Sequence, residues 1–155
     1  MDICQPPAAA GVPCSCGATG HLEPIAAGPG IIEEYVRLGG DAELPDGTPM
    51  DGAEIDRRAA AGDKNAQAAE ARAGRALGEV LGSMCNMLDP DVVILSGSVA
   101  QCGPNWSDAM AEAFRGQAMP PVATTPIVGG ELGGDAPLIG AAENFVSSGY
   151  AEVTD

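Results

Sequence analysis

Residues 63–88 run without a proline and stop abruptly at Asp89-Pro90, and this run limits what the rest of the chain can build. Asp63 has the side chain that accepts hydrogen bonds from the free amides of a helix's first turn. Ala66, Ala69, Ala73, Leu77, Leu81, Met84 and Leu88 recur at three- and four-residue steps, which places them on one helical face. The spacing predicts one long helix over 64–88. Gly74, Gly78 and Gly82 repeat at every fourth position within it. Each glycine costs about 1 kcal/mol against alanine in a helix interior, so the stripe implies close approach by another backbone. That backbone is a helix of this chain, a helix across a dimer, or a sheet. Hydrophobic residues make up 45% of the chain but aromatics only 3%, so the core packed on this helix is expected to be built from small side chains.

Strand and helix signals alternate after the long helix. Asp91 to Leu95 carry the β-branched run of a buried strand. Ser96, Gly97, Ser98 and Val99 follow at once, and Gly103-Pro104 opens a helix through about residue 117. A small-residue turn at the carboxyl end of a strand lets a ligand approach the backbone, as nucleotides do in α/β folds, although many such turns bind nothing. Residues 122–128 suit a second strand, kept to an edge or a bulge by Pro126. A turn over 131–135 leads to a final helix over 136–147, with Asp135 as its expected cap and Pro137 in its first turn. Earlier in the chain, short helices are expected over 31–38 and 53–61, with a Gly-, Asp- and Pro-rich surface loop between them. The alternation suits an α/β chain, and a length of 155 residues makes it one domain, or one lobe of a larger protein.

The chemistry concentrates near the amino terminus. Residues 13–23 hold Cys14, Cys16, Gly17, Gly20, Glu23 and the chain's one histidine, His21. Thiolate and imidazole are zinc ligands, and the two glycines permit a tight loop. The plainer reading is a flexible loop with two free thiols and a surface histidine. Residues 1–13 are rich in proline and alanine and show no periodicity, and Met1 to Cys4 resemble the stump of a strand.

Several classes are disfavoured. The net charge of −15 opposes binding to nucleic acid or to anionic membranes, both of which need a basic surface. No apolar run approaches the ~20 residues of a membrane span. The five cysteines show no disulfide-scaffold spacing, which suits a reducing cytoplasm. There is no Gly-x-x-x-x-Gly-Lys-Ser/Thr loop and no nucleophile elbow.

The loop resembles that of the ROK family (repressors, open reading frames and sugar kinases), which reads Cys-x-Cys-Gly-x-x-Gly-Cys-x-Glu. Cys14, Cys16, Gly17, Gly20 and Glu23 fall in register, and His21 stands at the family's third cysteine. The resemblance implies a structural zinc held by Cys14, Cys16 and His21. The family's fourth ligand is an upstream histidine. This chain has Met1-Asp2-Ile3-Cys4 there, so Asp2, Cys4 or water is expected in its place. Glu23 is implied to bond a sugar hydroxyl. The segment from Asp89-Pro90 to Val99 resembles the family's strand and Gly-Gly-Gly-Val turn, with serines at two of the glycines. It implies cofactor contacts from Ser96, Gly97, Ser98 and Val99. Leu138, Gly140, Ala141 and Ala142 match a closing Leu-x-Gly-Ala-Ala segment.

The resemblance covers roughly 11–147 and implies the C-terminal lobe of an actin-like, ribonuclease-H-like sugar kinase: a mixed sheet packed with helices. Residues 1–12 would be a truncated lead-in, 13–148 the lobe and 149–155 a frayed tail. In a full-length kinase of this kind ATP and Mg²⁺ would phosphorylate a hexose, and the lobe would form a cytoplasmic homo-dimer. The family's catalytic aspartate and phosphate loops lie in its amino-terminal lobe and are absent from this sequence, so this chain alone is expected to be inactive. The alternative parent is a ROK transcriptional repressor, which places a DNA-binding segment before the same sugar-binding body.

Overall fold

In the computed structural model, which describes residues 5–148, the long helix is the axis of the molecule. Helix α1 spans Glu23–Ala26, α2 Gly28–Arg37, α3 Gly52–Ala60 and α4 Lys64–Leu88; strand β1 is Val93–Leu95, α5 Pro104–Gln117, β2 Ile127–Gly129 and α6 Ala136–Ser147. The Asp63 side chain accepts from the amides of Asn65 at 2.8 Å and Ala66 at 3.2 Å, so α4 begins at its expected cap. At the other end Asp89 turns into the left-handed region and donates its amide to the Cys85 carbonyl at 2.9 Å; Pro90 then ends the helix.

The glycine stripe packs against α5. A Cβ at Gly74 would run into the Trp106 carbonyl oxygen, and one at Gly78 into the Met110 carbonyl and the Phe114 amide. At Gly82 it would meet Gln117 and Ala118. Of the three neighbours the spacing allowed, the helix of the same chain is the one observed, so the stripe carries no argument for a dimer. Asn86 holds the far end of α5, donating to the Gln117 carbonyl at 3.1 Å and accepting from the Met119 amide at 2.7 Å. Small residues fill the interface as expected: Ala66, Ala69 and Ala73 are buried beside Trp106, Met110 and Phe114. Met84 and Leu88, predicted on the same face, are exposed near the end of α4.

The sheet is smaller than predicted. Among the described residues it has two strands, β1 and β2, paired in parallel with Val93 opposite Ile127. This corrects the expectation of a mixed sheet. It also corrects the buried strand over 91–95: among the described residues β1 has a partner on one edge only, and Ile94 is 64% exposed. The strand predicted over 122–128 is mostly a turn. The amides of Val122 and Ala123 both bond the Met119 carbonyl, and Pro126 has no amide to give a ladder, so pairing starts only at Ile127.

Asp135 is not the cap predicted for α6. A 3₁₀ turn over Gly133–Asp135 feeds the helix directly, and no side chain bonds its first turn. Helix α6 buries none of its residues. At the start of the described chain, Pro7–Ala9 forms a 3₁₀ turn where none was expected. No helix among the described residues is long and apolar enough to cross a membrane. The predicted strand stump at Met1 to Cys4 and the tail over 149–155 lie outside the described residues.

Candidate functional site

The loop over 13–23 is tied to the helical body before its chemistry begins. The Ala8 amide donates to Glu79 on α4 at 3.2 Å, and Arg72 on α4 donates to the Ala8 carbonyl at 3.2 Å. Arg72 also bonds Glu34 at 2.5 Å, and Arg37 clasps the same carboxylate through two bonds of 2.7 Å. The Arg37 bond and the Arg72 charge hold Glu34 below the usual carboxylate range despite its burial. The loop itself is a small hairpin. Pro13 pairs with Thr19, Cys14 donates to Ala18 at 2.9 Å and Gly20 donates to Val12 at 2.8 Å. Gly17 and Gly20 make the reversal possible with φ of +91° and +85°, angles that a side chain resists.

This hairpin brings the predicted metal ligands together. One ligand atom each from Cys14, Cys16 and His21 lies within 4.8 Å of the other two. Cys16 Sγ stands 3.2 Å from His21 Nδ1. The Cys14 thiol is lowered to about 7, first by the Cys16 backbone amide and then by the His21 side chain. A thiol that ionises near neutrality beside a second thiol and an imidazole is the donor set of a zinc ion, so these residues fit the metal. Asp2 and Cys4, named as fourth ligands, lie outside the described residues. Glu23 follows as the first residue of α1 and is exposed.

The 96–99 turn leaves β1 at its carboxyl end, as predicted. Gly97 adopts φ of +103°, while Ser98 has an ordinary φ of −64°. The retained glycine thus takes the one backbone angle in the turn that a serine would oppose. Ser98 and Val99 line a cavity of about 370 Å³, together with Ile31 of α2, Asp56 of α3, Glu70 of α4 and Cys102. Ser96 and Gly97 are not among its lining residues. Helix α2 stands between this cavity and the zinc-type loop: Ile31 faces the cavity, whereas Glu33 and Arg37 line a second hollow with Val12 and Pro13.

The cavity holds acidic residues that sequence reasoning missed. Glu70 is 1% exposed. Burial, and then the Asp56 carboxylate beside it, push its carboxyl up to about 7. Glu70 was detectable in principle, because it sits in the alanine face of α4 between Ala69 and Ala73, where a charge is out of pattern.

The ROK family model matches residues 5–146. A glucokinase from Halalkalibacterium halodurans is 29% identical over an alignment of 142 residues, which covers 84% of this chain and 42% of that protein. The crystal structure of a ROK hexokinase from Thermus thermophilus matches with a TM-score of 0.70 at 30% identity, over 86% of this chain and 43% of that one. Two structures at 24% identity share the fold. One is a ROK family glucokinase from Streptomyces griseus in complex with glucose and AMPPNP, with a TM-score of 0.69 over 84% of this chain and 46% of that one. The other is a ROK family transcriptional regulator, a homologue of the E. coli MLC protein, with a TM-score of 0.67 over 77% and 31%. The chain thus spans less than half the length of each of these proteins.

Proposed function

Because the chain belongs to the ROK family, we propose that it is the C-terminal lobe of a glucokinase-like sugar kinase of actin-like fold. The observation that carries this reading is the hairpin. Its family-pattern residues fold so that Cys14, Cys16 and His21 converge, and Glu23 leaves it as the first residue of a helix. The named likenesses to a glucokinase and a hexokinase support the substrate class.

In this reading a full-length kinase transfers the ATP γ-phosphate to a hexose hydroxyl with Mg²⁺. Glu23 accepts a hydrogen bond from a sugar hydroxyl, with its backbone held at the start of α1. The 96–99 turn offers backbone amides and the Ser98 hydroxyl to the nucleotide. Zinc held by Cys14, Cys16 and His21 would stiffen the loop that carries Glu23. A homo-dimer and a cytoplasmic setting belong to the same proposal. Phosphoryl transfer also needs a positioned base and held phosphates, and the Asn-Asp pair that supplies the base in the family does not occur in this sequence.

The reading predicts that the chain alone gives no ATP-dependent glucose phosphorylation in a coupled assay; turnover would overturn it. Atomic absorption should find a zinc equivalent that disappears in the Cys14→Ala, Cys16→Ala variant. The likeness to a transcriptional regulator concerns the fold that both classes share. The coding sequence upstream of Met1 separates them: an Asp-x-Gly-x-Thr start supports the kinase, and a basic helix-turn-helix the repressor.

A further inference from the structure

We propose that Asp56, Glu70 and Cys102 form a second cation site, suited to a zinc-type divalent ion, in the wall of the cavity beside the 96–99 turn. One ligand atom from each residue lies within 4.8 Å of the other two. All three line the same cavity of about 370 Å³, so an ion has a route in and room for water as a further ligand.

Glu70 is the residue that calls for a ligand. It is 1% exposed, and among the described residues neither of its carboxylate oxygens makes a hydrogen bond, although the Asn105 side chain stands close enough to favour its charged form. Buried polar groups are ordinarily satisfied, and a buried carboxylate is the costliest kind to leave bare. Asp56 is already oriented: the Gly103 amide donates to its Oδ1 at 2.8 Å. That bond fixes one carboxylate oxygen on the backbone that leads into α5 and leaves the other available.

The donor set narrows the ion. Two carboxylates alone would suit magnesium or calcium, which take oxygen ligands. The thiol shifts the choice to zinc and its neighbours, which accept both sulfur and oxygen. The competing explanation is a proton shared between Glu70 and Asp56. It accounts for the two carboxyl groups and gives Cys102 no role. Burial, then the charges of Glu70 and Asp56, push the Cys102 thiol up to about 11. A bound dication reverses that balance, displacing to solvent the Cys102 thiol proton and the proton that Glu70 otherwise holds. The site uses none of the residues of the amino-terminal hairpin and stands whether or not the kinase reading holds.

The test uses the 155-residue chain with Cys14→Ser and Cys16→Ser, which removes the other thiol cluster. Zinc is titrated in competition with a chromophoric chelator, and cobalt(II) is followed by its sulfur-to-metal charge-transfer absorption. The proposal predicts one zinc per chain. It also predicts binding weakened at least about tenfold in Glu70→Gln and in Cys102→Ser, since losing even the partners of metal ligands has effects of that size. The cobalt charge-transfer band should vanish in Cys102→Ser. Circular dichroism checks that each variant is folded. If the double-serine background is not, the unmodified chain is used, and zinc must protect Cys102 from a thiol reagent as read by peptide mass spectrometry. Absence of zinc uptake, uptake unchanged by both substitutions, or no protection of Cys102 would overturn the site.

Discussion

The α4–α5 pair and the strip elements β1, β2 and α6 all carry large apolar side chains and fare differently. In the pair, Gly74, Gly78 and Gly82 meet α5 and its exit, and Ala66, Ala69 and Ala73 are buried in one cluster with Trp106, Met110 and Phe114. In the strip, Ile94 and Val128 are exposed, and on α6 Leu138 is 73% and Phe145 56% exposed. Apolar patterning therefore shows which face is meant to be covered, and among the described residues these four side chains are left uncovered. That contrast suits a chain spanning less than half the length of the proteins it matches.

The largest effect should come from emptying the core on one side of this comparison. Trp106→Ala should cost about 3–5 kcal/mol, because the indole is buried against α4. Phe145→Ala in the strip should cost under about 0.5 kcal/mol. Urea denaturation of the two variants checks the pair, and equal losses would break the distinction.

Glu70 gives the next effect. Its folded carboxyl is raised from 4.5 to about 7. Between those values the folded state holds a proton that the unfolded state has released, so stability falls as pH rises through this window. The loss should approach about 3 kcal/mol by pH 8 in metal-free buffer. Glu70→Gln should flatten the profile, and a wild-type slope that persists in the variant would assign it to another group.

Gly78→Leu should cost about 1–3 kcal/mol by overpacking, since even a Cβ there strikes the α5 backbone. The smallest effect is the control. Nothing lies within 4 Å of a Cβ added at Gly140 of α6, so Gly140→Ala should raise the melting temperature slightly, by up to about 1 kcal/mol in stability. A destabilised Gly140→Ala would mean that α6 is covered, for example by a second copy.

Helices with their own stop signals were legible from sequence. The limits of α4 follow from the Asp63 cap and Pro90, and α5 opens at Pro104 as expected. The strands were less so, because pairing depends on partners elsewhere: Val122 reads as strand but is drawn into the turn after Met119. The Pro7–Ala9 turn is closed by its own backbone bonds and is also held by Arg72 and Glu79, which are remote in sequence. At the site, the convergence of Cys14, Cys16 and His21 could be anticipated because the ligands lie within one short hairpin. The Asp56, Glu70 and Cys102 cluster could not, since it joins α3, α4 and the approach to α5. Its one local sign was a glutamate in an alanine face.

The central claim is that this is a hexose-binding lobe in which Glu23 holds the sugar. Titration calorimetry of glucose into the zinc-loaded chain tests it most directly. The account predicts binding in the micromolar-to-millimolar range that is lost in Glu23→Gln while the fold, by circular dichroism, is unchanged. No heat of binding, or binding that Glu23→Gln leaves untouched, would contradict it.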